Sequence, residues 1–203
     1  QAAELGLIDL DATTYTVKED LNPTYGELYG KGENYPITLR EAARLALEFS
    51  DNTASRLINR HTLKIAESHP EIRYTPLDSL DVDFVKQDEK KIIKLTASSF
   101  SSVLKCLYYS CLLGFDYSNN ILDHLTNSLS TGGLVDGIPE GIKVAHKFGE
   151  YYDNFQSDCG IVYVPDKPYI LCIMLKAGTE ESNIVTSEIS RFVYNYVSNT
   201  SAY

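Results

Sequence analysis

The feature that most narrows the folds open to this chain is a change of period late in its length. In 38–65 and again in 97–129 the apolar residues recur at helical spacing, whereas KVAHKFGEY, SDCGIVYV and PYILCIML are short runs rich in β-branched and aromatic residues. VPDKP between the last two is a turn signal, so the three runs predict an antiparallel meander. After them SNIVTSEISRFVYNYVS returns to a helical period, with Glu180 and Glu181 at the positive end of its dipole. Val185, Ile189, Phe192, Val193 and Tyr196 fall on one face, and this helix is expected to cover the sheet. The fold class that follows is α+β, a helical cluster followed by an antiparallel sheet under a C-terminal helix.

The helical part has its own punctuation. In YPITLREAARLALEF, Thr38 followed three residues later by Glu41 is a capping box, and Leu39, Ala42, Ala43, Ala46 and Phe49 repeat at helical spacing. The helix is expected to stop at Ser50. Asn52 then caps a second helix whose apolar stripe is Leu57, Ile58 and Ile65, which places Ser50-Asp51-Asn52 in a tight corner. A third helix is expected from Ala97 to Leu113, with Phe100, Val103, Leu104, Leu107, Tyr108 and Cys111 on one face and Gly114 as its C-cap. A fourth runs from Asn119 to Leu129 with Ile121, Leu122, Leu125 and Leu129 inward, ended by Gly132 and Gly133. QAAELGLIDLD reads as the tail of a helix, 12–36 as an extended excursion, and 67–94 as a surface segment with short regular pieces at most. No internal repeat or linker divides the chain, so one domain is expected over 1–203, with its N-terminal part missing.

Several function classes are disfavoured. Against 28 acidic residues stand 18 basic ones, a net charge of −10, which opposes binding to nucleic acid or an anionic membrane surface. The longest apolar runs fall short of the roughly 20 residues a membrane-spanning helix needs. Cys106, Cys111, Cys159 and Cys172 are too scattered for a disulfide scaffold and read as small buried apolar residues. His61, His69, His124 and His146 form no metal-ligand spacing, and the glycines form no phosphate loop, so neither a metal nor a cofactor is expected. His146 reads as a strand residue with a satisfied side chain.

Two stretches carry the chemistry. The first is the corner Ser50-Asp51-Asn52, where three hydrogen-bonding residues crowd a position that capping would fill with one. The second is HKFG, where a lysine on an edge strand followed by glycine lets a substrate backbone lie along the strand while the ammonium holds an anion. In this order, SDNTA after TLREAARLALEF, then KFG followed by DCGIVYVPDKPYILCIMLKAG and a terminal helix, the chain resembles the class A β-lactamases and penicillin-binding peptidases. The resemblance runs from Gln1 to the C-terminus. It implies a serine acyl-transferase fold and acyl-enzyme chemistry on β-lactams or D-Ala-D-Ala-type peptides, outside the cytoplasmic membrane. By the same resemblance Ser50 shuttles a proton to the leaving nitrogen and Asp51 braces the corner. Asn52 holds the substrate's amide, and Lys147 recognises its carboxylate and tunes Ser50. Phe148, Gly149 and Glu150 form the substrate-binding strand, with the Glu150 N–H as half of an oxyanion hole.

The chain departs from that family in three places. The family's nucleophile lies in a Ser-x-x-Lys on a helix before the SDN corner, and its expected position is upstream of Gln1. The Ser-x-x-Lys within the chain, Ser102 to Lys105, follows the corner and points to a solvated face. Phe148 stands where the family has Thr or Ser, and 67–94 lacks the family's deacylating Glu with its Asn, leaving Glu71, Asp81 and Asp83 as imaginable substitutes. Two hypotheses follow: a serine hydrolase whose nucleophile lies in a missing N-terminal segment, or a non-catalytic relative that binds peptidoglycan peptides or a partner protein through the same groove.

Overall fold

The computed structural model describes residues 1–69, 72, 83–87, 90–129, 132–151 and 154–200. The helical cluster begins beside a small ribbon in which β1 (Thr13–Tyr15) pairs antiparallel with β2 (Pro36–Thr38). Thr38 then caps α1 (Leu39–Glu48), its hydroxyl accepting the Glu41 N–H at 3.1 Å. Only half of the expected capping box forms, because the Glu41 carboxylate turns to Arg44 at 2.6 Å. α2 (Asn52–Ser68) is capped by Asp51 rather than by Asn52: the Asp51 carboxylate accepts the Ala54 N–H at 2.8 Å, and Asn52 is already helical. Leu39, Ala42, Ala54 and Leu57 close over Leu28 and Ile37 to make one buried cluster, with Ile58 against it. In the excursion that follows, β3 (Asp83–Gln87) and β4 (Lys90–Lys94) form a hairpin.

α3 (Ala97–Tyr108) is capped by the Thr96 hydroxyl, which accepts the Ser99 N–H at 3.0 Å. It ends well before Leu113, because the chain turns back at Ser110, φ 53°, and Cys111 is disulfide-bonded to Cys106. Gly114 accordingly opens the next helix, α4 (Phe115–Thr126), instead of closing the previous one. Leu104, Leu122 and Leu125 pack on Ala145, Cys159 and Ile161 of the sheet. Leu129, expected inward, lies past the end of α4 and is 64% exposed.

The meander forms as expected: β5 (Val144–Tyr151), β6 (Phe155–Val162) and β7 (Tyr169–Leu175) pair antiparallel in that order. Strand alternation sends Ala145, Lys147 and Gly149 toward the helical cluster, and Val144, His146 and Phe148 toward the other face. The register sets Cys159 opposite Cys172, and the two are joined. The four cysteines are therefore two disulfides, not isolated apolar residues. Each link depends on a turn or a strand register that sequence spacing does not display.

α5 (Thr179–Asn199) covers the second face, but with a different stripe from the one expected. Ser182, Thr186 and Ser190 are buried, while Phe192 is 74% and Tyr196 67% exposed. The cause is close approach. A short 3₁₀ turn, Val135–Gly137, lies so near α5 that a Cβ at Gly137 would fall 2.6 Å from the Arg191 nitrogen and from the Ser190 Cβ. Only small side chains fit there, and the Ser190 hydroxyl donates to the Leu134 carbonyl at 2.7 Å. Among the described residues no helix is long and apolar enough to cross a membrane.

Candidate active site

Ser50 sits between α1 and α2 at φ 53°, a left-handed conformation that costs a residue with a Cβ about 1–3 kcal/mol and persists only where the surroundings enforce it. Here they do. The Asp51 N–H donates to the Leu45 carbonyl and the Asn52 N–H to the Tyr25 carbonyl, both at 3.1 Å. The Asp51 carboxylate, 1% exposed, takes the Ala54 N–H with one oxygen and the Leu28 N–H with the other, each at 2.8 Å. Gly26, at φ 98°, passes so close that any Cβ there would overlap that carboxylate.

The end of α1 is tied to α4 by a second anchor. Glu48 accepts from Arg44 at 3.0 Å and lies 2.7 Å from His124 Nδ1, and its carbonyl accepts the Leu129 N–H at 3.0 Å. Arg44, held above its usual pKa first by the hydrogen bond to Glu41, lies over the Phe49 ring at 5.1 Å. These contacts fix the peptide that leads into Ser50 from both sides.

Across from the corner stands β5. The Lys147 ammonium donates to Ser50 Oγ and, at 3.0 Å, to the Phe148 carbonyl. Burial lowers the Lys147 pKa below its ordinary range, and the Asp158 carboxylate pushes it partly back up. The hydroxyl of Ser50 thus meets a lysine 97 positions away in the chain.

The other expected residues fall around this contact. Asn52 is half-buried at the first turn of α2, and its carboxamide makes no hydrogen bond among the described residues. Phe148 is half-buried on the face it shares with His146. Gly149 lies against Ser157: a Cβ there would fall 2.9 Å from the Ser157 hydroxyl. Glu150 is exposed and its carboxylate accepts the Thr179 hydroxyl at 2.6 Å. Ser102 and Lys105 lie elsewhere, on α3, where the Ser102 hydroxyl donates to the Ser98 carbonyl at 3.2 Å and Lys105 is exposed. Glu71 and Asp81 lie outside the described residues, and Asp83 enters as the first residue of β3.

His146 is satisfied as expected, its Nδ1 lying 2.8 Å from Asp158 Oδ1. Asp158 itself, Glu48 and His124 were not singled out by sequence reasoning. An acid inside the apolar run SDCGIVYV was the available signal for the first of them. Among the described residues no group of three His, Cys, Asp or Glu side chains is placed to hold a metal ion.

Known proteins place this geometry. The profile described as the Beta-lactamase enzyme family matches residues 1–197. A β-lactamase of Bacillus amyloliquefaciens is 27% identical over 184 residues, which are 85% of this chain and 58% of that protein. This chain therefore spans well under two thirds of the curated relative's length. Among solved structures, PBP-A superposes with a TM-score of 0.83 at 19% identity, covering 98% of this chain and 76% of that one. An acyl-enzyme complex of a PBP-A variant with penicillin G gives a TM-score of 0.84 at 18% identity, with 98% and 76% covered. The β-lactamase of Sphaerobacter thermophilus gives 0.83 at 17%, with 99% and 79% covered. At these identities the superpositions establish the fold, which is that of the β-lactamases and penicillin-binding transpeptidases. A profile match spanning nearly the whole chain carries the rest, and with it the protein takes its place as a member of the Beta-lactamase enzyme family.

Proposed function

We propose that this chain is the larger part of a serine acyl-transferase that forms acyl-enzymes with β-lactams or D-Ala-D-Ala-type peptides, its nucleophile carried by polypeptide outside these 203 residues. The observation that carries the reading is the hydrogen bond from Lys147 Nζ on β5 to Ser50 Oγ in the SDN corner. Because the ammonium donates to Ser50 Oγ, the Ser50 O–H proton is directed away from the lysine. It is then available to the nitrogen that leaves when an attacked amide collapses. General acid transfer of this kind is worth roughly 10²- to 10⁴-fold in rate. The positive charge beside the oxygen stabilises the negative charge that develops there as the proton departs.

Asn52, whose carboxamide makes no hydrogen bond among the described residues, would hold a substrate amide, and Lys147 supplies the cation for a carboxylate. Gly149 and Glu150 continue the strand along which an extended substrate would lie, and the Glu150 N–H would serve as half of an oxyanion hole. The penicillin adduct of the PBP-A variant is the precedent for β-lactam as ligand. Membership of this family supports a location outside the cytoplasmic membrane, where cell-wall peptides would be met. Phe148 brings no hydroxyl, and the sequence of 67–94 carries no Glu-with-Asn motif like that of the β-lactamases, which supports slow turnover, as in a penicillin-binding peptidase.

Phe148 also favours a second reading, a non-catalytic relative that binds peptidoglycan peptides or a partner protein in the same groove. One experiment separates the two. Protein expressed from the complete gene is incubated with a fluorescent penicillin and the adduct located by peptide mass spectrometry. Labelling of a serine in a Ser-x-x-Lys outside residues 1–203 supports the enzyme; absence of any covalent adduct leaves the binder.

A further inference from the structure

Among the described residues β5 pairs only with β6, and beside its open edge, at the end away from Gly149, lies a cavity of about 640 Å³. That is a size typical of small-molecule sites. Three elements build it. The C-terminal end of α4 brings Asp123, Thr126 and Asn127, the 3₁₀ turn brings Asp136, and the start of β5 brings Lys143 and His146. The acyl-transfer chemistry above uses none of these side chains.

The deepest member of the wall is His146, 2% exposed. Its Nδ1 lies 2.8 Å from Asp158 Oδ1, while Asp158 Oδ2 accepts the Leu134 N–H at 2.8 Å. A carboxylate only accepts, so Nδ1 carries the proton of that bond and Nε2 keeps a lone pair. Nε2 makes no hydrogen bond among the described residues. The ring is thus held rigidly from behind with one acceptor left for whatever fills the cavity. The strand edge adds more. The Tyr163 N–H donates to the Lys143 carbonyl at 2.9 Å, so Lys143 faces β6. By alternation the backbone N–H and C=O groups of Val144 and His146 face outward from the edge.

Donors and acceptors therefore share one small space. The carboxylates of Asp123 and Asp136 accept, Lys143 donates, and Thr126 and Asn127 do both. Two carboxylates repel an anion, and among the described residues no three His, Cys, Asp or Glu side chains are placed to hold a metal ion. A neutral polyhydroxyl ligand matches the wall, because each of its hydroxyls donates and accepts at once. A second feature beside the cavity suits the same ligand. Tyr163, whose N–H reaches Lys143, has its ring centroid 6.3 Å from that of Tyr108, which meets Tyr109 edge-on at 5.0 Å. Tyr109 is 68% exposed and Tyr108 38%. Such rings offer flat apolar faces with polar tips, which suit the C–H face of a pyranose and the hydroxyls at its rim. We propose that this cavity is a binding site for a neutral saccharide, one sugar held by Asp123, Asn127 and His146 Nε2 and its neighbour resting on the tyrosines. The site goes beyond the acyl-transfer reading and does not rest on it.

The test is a titration. Protein expressed from the complete gene and labelled with ¹⁵N is titrated with chitotetraose, a neutral β-1,4-linked oligosaccharide, and followed by NMR at the Asn127 side-chain amide and the His146 ring. Both signals should shift and saturate together. Asp123 and Asn127 are exposed, so Asp123→Ala and Asn127→Ala spare the fold. Each should raise the Kd roughly 3- to 10-fold, the effect of one lost hydrogen bond. Tyr109→Ala, also at an exposed position, should raise it too. Absence of a saturable shift, or an unchanged Kd across the three variants, overturns the proposal. So does saturation of the same signals by 1,4-diaminobutane and not by the saccharide, which would mark a cation site. The titration involves no acyl transfer, so failure of penicillin labelling would count against the acyl-transfer reading alone.

Discussion

Replacing Asp51 by alanine is the sharpest perturbation of the corner that holds Ser50. The Asp51 carboxylate is buried and satisfies two N–H groups at once, the Ala54 donor at the start of α2 and the Leu28 donor in the core. Loss of an N-cap costs about 1 kcal/mol. The Leu28 N–H, on a residue only 3% exposed, would be left without a partner, at about 1–3 kcal/mol more. The sum is roughly 2–4 kcal/mol, and at about 2–4 °C per kcal/mol for a protein of this size the midpoint of thermal unfolding should fall on the order of 10 °C. Asp51→Asn keeps one acceptor oxygen and turns an amide toward the second N–H, so it should lie between alanine and native. Urea unfolding followed by circular dichroism measures each variant. A midpoint shift at constant m reports the stability change. If Asp51→Ala stays within about 0.5 kcal/mol of native, the range of an ordinary surface substitution, the corner is not held as described.

The electrostatic setting of Lys147 makes a pH-dependent prediction. Burial lowers its pKa below the ordinary 10.5, so between the folded value and 10.5 the unfolded chain binds more protons and native stability rises with pH. Lys147→Met, which removes the titration, should exceed native in stability at neutral pH by a margin that shrinks as pH approaches 10.5; urea unfolding from pH 7 to 10 would refute this by showing a constant margin. The Cys159–Cys172 link closes a loop of sequence separation 13, for which chain entropy assigns about 3 kcal/mol. Unfolding with and without dithiothreitol, with thiols counted by mass, should show a loss of at least that order, and an unchanged midpoint after complete reduction would contradict it.

Much of this architecture was legible because local signals agreed with the fold. Thr38 and Glu41 marked the start of α1, the three β-rich runs became β5 to β7, and the SDN corner and KFG strand lie in the order the family resemblance implies. The misreadings share a cause. On α5 the apolar stripe was taken as the inner face, but the 3₁₀ turn at Gly137 leaves room only for Ser182, Thr186 and Ser190, and closeness of approach has no signature in periodicity. The disulfides depend on strand register and on the turn at Ser110, and the Asp158 partner of His146 on a diagonal across two strands. Asp51 rather than Asn52 caps α2 because its second oxygen is claimed by Leu28, a contact made by a segment 23 residues earlier in the chain.

The central claim is that the hydroxyl at the corner and the ammonium on β5 act as a unit in acyl transfer. A double-mutant cycle on protein expressed from the complete gene tests it, with acylation by penicillin G timed for native, Ser50→Ala, Lys147→Ala and the double variant. Groups that act together give strongly non-additive losses, so the double variant should be little slower than the slower single one. Losses that simply multiply, or single variants that acylate at the native rate, would contradict the account.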